Sequence, residues 1–287
     1  MRIRKRLPVL AAALAALLLP CACGPAPGAA GGGQGGGAAK AGAAKAGAAA
    51  RPAADPRLAP ALAALEAAPL APEVRERIRA RVLASPGPFL AGLDAVLAVR
   101  AADPSLFLRA DKERRLPADF VPEGLEGLDG SGLSLSRKGH SLRRPAFEAL
   151  LAMDAAARAE GVVLLVGSTY RSFAYQKEVF DRSVAAEGLA ETERSVAPPG
   201  ASQHQLGTAL DFAPIDDAFA ATPASRWLAA NASRFGFSLS FPEGLEAETG
   251  YKPESWHYRY LGRDATALAD AYFEGVQRRF LLFLERR

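Results

Sequence analysis

Cysteine is nearly absent from this 287-residue chain: Cys21 and Cys23 are the only two. A disulfide framework and a thiol nucleophile are therefore excluded from everything downstream of residue 23. Histidine is scarce as well, limited to His140, His204 and His257. None of the seven lysines has a serine three positions before it, which removes the Ser-x-x-Lys signature of serine D,D-peptidases. No His-Glu-x-x-His stretch occurs either, so a thermolysin-like metal helix is out. Charge of one sign is also lacking. The formal net charge of +4 comes from 35 basic and 31 acidic residues, but Arg2, Arg4, Lys5 and Arg6 precede Cys23, where no acid occurs. The rest of the chain carries 31 of each sign. With no basic stripe to neutralise phosphates, nucleic acid is not an expected partner.

Residues 1–23 read as an export signal. A basic start is followed by the apolar run Leu7–Leu19, too short to span a bilayer comfortably. A cysteine directly after such a run resembles the lipobox of bacterial lipoproteins, whose thiol is acylated. Cys23, behind the small Ala22, is the favoured lipidation site, with Cys21 the alternative. Residues 24–55 are almost entirely Gly, Ala and Pro, with Ala-Lys-Ala-Gly-Ala at 39–43 and again at 44–48. Such a stretch has nothing to bury and is expected to be a disordered tether. As a Gly-rich coil it would reach roughly 30 Å.

Residues 56–118 have a helical pattern, with Leu65, Val74, Ile78, Val82 and Leu83 at helical spacing and Pro88 and Pro104 as punctuation. They carry no recognisable chemistry and are expected to form a helical spacer or N-terminal cap. From about residue 119 the pattern changes to short alternating elements. Pro145 opens a helix that Gly161 closes. Val162–Val166 predicts a buried strand. Phe173–Glu187 predicts a helix stopped by Gly188, with Phe173, Gln176, Phe180 and Val184 near one face. Ala209–Ala213 reads as a short strand and Pro223–Phe235 as a helix ending at Gly236. Ser255–Tyr260 reads as a strand, with Trp256, Tyr258 and Tyr260 on one face and His257 and Arg259 on the other. Helices and strands alternate without βαβ regularity, which favours an α+β fold.

Two of the three histidines stand in unusual company. Ser202-Gln203-His204-Gln205-Leu206-Gly207-Thr208-Ala209-Leu210-Asp211 places a histidine seven positions before an aspartate, and Glu254-Ser255-Trp256-His257 follows. Together they offer two imidazoles, one carboxylate ligand and a spare glutamate. A catalytic zinc site takes three protein ligands and keeps one position open. Gly207 and Ala209 are small, which lets backbone pack closely while His204 and Asp211 converge. His140, after Lys138-Gly139 in a polar loop, is expected at the surface.

Ser202-x-His204-x-x-Gly207-x-Ala209-x-Asp211 followed by Glu254-x-Trp256-His257 resembles the VanY-type family of zinc D-alanyl-D-alanine carboxypeptidases. The likeness extends to Ser168-Thr169-Tyr170-Arg171-Ser172, Gln176 and the turn Pro199-Gly200, and covers roughly residues 119–265. It implies a single zinc-peptidase domain of the D-Ala-D-Ala carboxypeptidase/hedgehog-like type at 119–287, behind the helical extension. It also implies zinc held by His204, Asp211 and His257, with Glu254 as general base and acid and Arg171 facing the scissile carbonyl. Gln176, Ser202 and Trp256 become candidate substrate contacts. Because residues three apart on a straight strand face opposite ways, Glu254 is expected in the turn after Pro253, ahead of the strand.

The function expected is release of the terminal D-Ala from peptidoglycan stem peptides by a lipoprotein of the bacterial cell envelope, held to the membrane by its lipid anchor. Two alternatives stand beside it. One is L,D-carboxypeptidase action on tetrapeptide stems; the other is a non-catalytic, zinc-containing wall-binding lipoprotein, which Glu254 argues against.

Overall fold

The computed structural model describes residues 55–287. The segment expected to be an export signal, both cysteines and the Gly/Ala-rich stretch up to residue 54 lie outside the described residues. Three helices come first: α1 (Leu58–Ala67), α2 (Pro72–Ala84) and α3 (Pro86–Ala102). Then follow β1 (Leu125–Gly127), β2 (Ser134–Leu135), β3 (Ser141–Arg143), α4 (Arg144–Ala159) and β4 (Leu165–Ser168). The middle of the chain holds α5 (Phe173–Glu187), α6 (Leu189–Ser195), β5 (Ala209–Phe212) and α7 (Pro223–Asn231). It ends with β6 (Phe237–Phe241), α8 (Glu246–Thr249), β7 (Glu254–Tyr260), α9 (Arg263–Tyr272) and α10 (Gln277–Leu284).

Five strands form one mixed sheet in the order β2-β4-β5-β7-β6, parallel between β2 and β4 and antiparallel elsewhere. β1 and β3 form a separate antiparallel pair. This is the α+β architecture that the irregular alternation predicts. Trp256, Tyr258 and Tyr260 on β7 join a core built from α4, α7 and the sheet, where Leu150, Met153, Val166, Leu210, Phe212 and Phe237 are fully buried. His257 and Arg259 alternate onto the opposite face.

A second core lies among the helices. Phe89, Leu90, Leu93 and Val96 of α3 pack with Leu268 and Ala269 of α9 and with Phe280, Phe283 and Leu284 of α10. Phe89 meets Tyr272 and Phe283 at ring-centroid distances of 5.0 and 6.0 Å. The N-terminal helices thus share their core with the last helices of the chain.

Several local expectations need correction. Regular helix ends at Ala102, followed by a 3-10 turn at Pro104–Phe107 and an irregular segment to residue 120. The Asp111 side chain accepts hydrogen bonds from the backbone N–H groups of Glu113 and Arg114, a local turn that competes with helix. The strand predicted at Val162–Val166 lies instead at Leu165–Ser168. Val163 and Leu165 are 60% and 37% exposed while Leu164 and Val166 are buried, so the segment alternates between a covered and an open face instead of being buried throughout. The strand β5 stops at Phe212, and the helix from Pro223 gives way after Asn231 to a 3-10 turn. His140 is not a surface residue: it is 1% exposed, with Nδ1 3.2 Å from the Thr169 hydroxyl and Nε2 3.4 Å from that of Ser136. Its loop folds back beside the end of β4, and burial lowers its pKa, with Arg137 adding to the effect.

Candidate metal centre and active site

The central strands bring the distant motifs together. Asp211 on β5 is the register partner of His257 on β7, and on its other side Asp211 pairs with Ser168 of β4. His204 arrives from the 3-10 turn Gln203–Leu206, capped by Ser202, whose Oγ accepts the His204 backbone N–H at 3.3 Å. The turn exits through Gly207 at φ +68°, where a Cβ would lie 2.9–3.0 Å from side-chain atoms of Leu125, Arg143 and Pro122. Both the left-handed backbone and the lack of space demand glycine here.

His204, Asp211 and His257 are all buried, and each offers one ligand atom within 4.8 Å of the others. His204 Nε2 lies 3.1 Å from Asp211 Oδ2, and His257 Nδ1 lies 3.0 Å from Asp211 Oδ1. His204 Nδ1 sits 2.6 Å from the Thr169 carbonyl oxygen, which can only accept, so the proton is on Nδ1. Burial, with Arg171 nearby, lowers the His204 pKa to about 4, leaving its Nε2 lone pair bare at neutral pH. Burial alone would raise the Asp211 carboxyl, but His204 and His257 outweigh it and hold it well below the usual range. Buried lone pairs facing one another in this way call for a cation, and two nitrogens plus a carboxylate oxygen suit zinc.

Glu254 lies beside this cluster. Its Oε2 is 3.4 Å from His257 Nδ1. The expected turn is replaced by strand: Glu254 is the first residue of β7. The β6–β7 register shifts from Leu239 opposite Tyr258 to Phe241 opposite Glu254, so extra β7 residues are accommodated. That irregularity turns Glu254 onto the face of His257. Burial raises the Glu254 pKa well above the usual value, the Asp211 charge raises it further, and Arg171 opposes both. Arg171 Nη2 is 3.9 Å from Asp211 Oδ2, while its buried Nε has no hydrogen-bond partner among the described residues.

All five groups line a cleft of about 440 Å³, with Gln176, Ser202 and Trp256 also on its wall. Gln176 donates to the Ala197 carbonyl at 2.6 Å and leaves its own Oε1 without a partner. Trp256 is half-buried and both lines the cleft and packs on the sheet core. Sequence reasoning passed over three neighbours. Thr169 and Gln203 hold the outer nitrogens of His204 and His257, and both stand inside the quoted motifs. Phe241, whose ring lies 4.9 Å from that of His257, comes from another strand with no local signal.

A family model described as VanY, D-alanyl-D-alanine carboxypeptidase, matches residues 139–263. YodJ of Bacillus subtilis, named as a carboxypeptidase, is 33% identical over 183 residues, which is 58% of this chain and 67% of YodJ. The chain belongs to the VanY family. Among solved structures, the LdcB LD-carboxypeptidase aligns with a TM-score of 0.54 at 32% identity, covering 61% of this chain and 88% of LdcB. The D,D-pentapeptidase VanY of a VanB-type resistance cassette, in complex with Zn(II), aligns with a TM-score of 0.51 at 33% identity. That match covers 62% of this chain and 99% of the solved one. The VanY family is one of zinc carboxypeptidases, and the His–Asp–His set fits that ion. Helices α1, α2, α3 and α10, and all of α9 after Arg263, lie outside the stretch matched by the family model.

Proposed function

We propose that this chain is a D,D-carboxypeptidase that removes the terminal D-Ala of peptidoglycan stem peptides, with His204, Asp211 and His257 as its zinc ligands. The observation that carries the reading is Glu254, a carboxyl group only 13% exposed and outside the ligand set, whose Oε2 lies 3.4 Å from His257 Nδ1. A structural metal site has no use for such a group. When bound, zinc supplies Lewis acidity and makes water acidic enough to lose a proton near neutral pH. Glu254 would accept that proton at Oε2 and return it to the departing amine. Arg171, a fixed guanidinium with a bare Nε–H, would meet the negative charge that develops on the scissile carbonyl oxygen. Gln176 and Ser202 would hold the peptide's backbone or carboxylate, and Trp256 would wall the cleft.

L,D-carboxypeptidase action on tetrapeptide stems is the second reading. It is favoured by LdcB, as similar to this chain as the D,D-pentapeptidase is. Both substrates end in a D-amino acid, so one cleft chemistry serves either. The deciding experiment incubates purified protein with a pentapeptide and a tetrapeptide muropeptide, with and without chelator, and reads products by mass spectrometry. D-Ala release from the pentapeptide alone supports the proposal. Release from the tetrapeptide alone supports the second reading, and binding of both without cleavage makes the chain a wall-binding protein.

The proposed location is the bacterial cell envelope, through a lipid on Cys23 or Cys21. Replacing both cysteines by serine should abolish labelling by a radioactive fatty acid. Labelling that persists, or a wild-type chain that is never labelled, overturns the anchor.

A further inference from the structure

The outer nitrogen of His257 leads away from the cleft along a chain of buried polar groups. His257 Nε2 is 3.2 Å from Gln203 Oε1. The same oxygen accepts from Ser240 Oγ on β6 at 2.7 Å. Ser240 Oγ in turn accepts from Gln277 Nε2 at 2.9 Å, and Gln277 Nε2 also donates to the Ser238 backbone carbonyl at 3.1 Å. Ser238, Ser240 and Gln277 are 6%, 3% and 1% exposed. Gln277 is the first residue of α10, beyond the stretch matched by the family model.

The polarity of this chain is set from its far end. A backbone carbonyl has no proton to give, so the Gln277 amide must turn its NH2 toward Ser238. The second N–H of that group then points at Ser240 and occupies one lone pair of its hydroxyl. Gln203 Oε1, 2.7 Å away, accepts the Ser240 proton, and a buried hydroxyl proton without an acceptor is costly. Gln203 is thereby held with its oxygen, rather than its NH2, toward His257. An oxygen facing Nε2 requires the His257 proton to sit on Nε2. Nδ1, the atom facing Asp211 and Glu254, is then left with a lone pair.

We infer that Gln277, through Ser240 and Gln203, is a positioning residue that fixes the tautomer of the metal ligand His257. The inference rests on the proposed ligand role of His257 and adds α10 to the machinery that prepares it. Outer partners of ligating histidines typically change metal affinity by about 10–100-fold. The relay's polarity, not its bulk, is what matters, so small substitutions suffice to test it.

The experiment compares wild type, Ser240→Ala, Gln277→Met and His257→Ala as full folded chains, with circular dichroism to verify the fold. Zinc affinity is read by competition with a chromogenic chelator. The His257 tautomer is read from imidazole 15N shifts of the zinc-free protein at pH 9. Wild type should show the Nε2–H form. Ser240→Ala and Gln277→Met should mix in the Nδ1–H form and bind zinc about tenfold more weakly or worse. Should Gln277→Met fail to fold, Ser240→Ala, which removes one oxygen, decides alone. Wild-type affinity and tautomer in these variants would overturn the relay. Undiminished zinc binding by His257→Ala would instead overturn the ligand assignment, so the two failures are distinguishable.

Discussion

Glu254 and His257 stand three residues apart on the same strand, yet their side chains meet at 3.4 Å in the wall of the cleft. The register shift between β6 and β7 makes this possible. It leaves Glu254 close enough to share the site and outside the set of three candidate ligands, His204, Asp211 and His257.

Glu254→Gln should therefore leave zinc content and fold nearly unchanged, while turnover falls by about 10²–10⁴-fold. The amide fills the same space but has no lone pair basic enough to take a proton from water. D-Ala release and metal content, measured on the same preparation, check this. Wild-type turnover in the variant would end Glu254's role as base.

Metal removal should silence the protein reversibly. One zinc per chain is expected from a single three-ligand site. Dialysis against a chelator should abolish peptide cleavage, and zinc should restore it. His204→Ala should lose the ion, since His204 presents a bare Nε2 with its proton committed to Thr169. Atomic absorption after gel filtration gives the stoichiometry, and full retention in the variant would contradict the ligand set.

Gly207→Ala should destabilise the fold by about 1–3 kcal/mol, from a left-handed backbone and a crowded Cβ together. The strain falls between His204 and Asp211, so zinc affinity should drop along with stability. Urea unfolding measures the first effect and chelator competition the second. An unchanged midpoint would mean that the pocket formed by Leu125, Arg143 and Pro122 yields easily.

Phe89→Ala should cost about 3–5 kcal/mol although Phe89 lies far in sequence from every site residue. Its ring is 1% exposed between Tyr272 and Phe283. A chain cut to residues 119–287 should unfold at lower temperature for the same reason. Equal melting of the truncated and longer chains would reduce the helices to a detachable spacer.

His140 should give stability an acid-sensitive limb. Its pKa in the fold is lowered by burial, so the unfolded chain binds its proton first as pH falls. Stability is then full above the ordinary histidine value near 6.5 and declines below it, toward the lowered folded value. His140→Asn should flatten that decline between about pH 6.5 and the folded value, read as unfolding free energy against pH. An unaltered slope would mean that His140 keeps its ordinary affinity for protons.

Much of the centre was legible in the sequence because its motifs are local. His204 and Asp211 are joined by one turn and one short strand, and Glu254 and His257 lie on another. Helix α5 runs over Phe173–Glu187 as its Ser172 cap and Gly188 stop dictate. What escaped reading is non-local. The bulge at Glu254 is set by how β7 pairs with β6, and strand pairing has no signature within seven residues. His140 looked solvated from its polar neighbours, but its burial follows from its loop packing against Thr169 at the end of β4. Gln277 carries no motif at all, and its role depends on a contact with residues nearly forty positions earlier.

The shared core of α1–α3 with α9 and α10 has a consequence for synthesis. The first helices leave the ribosome well over a hundred residues before their partners exist. Until α9 and α10 arrive, Phe89, Leu90 and Leu93 lack the side of their core that Leu268, Phe280 and Phe283 supply. A partly made or C-terminally clipped chain therefore displays a sticky helical surface, and the cell must shield it or destroy it.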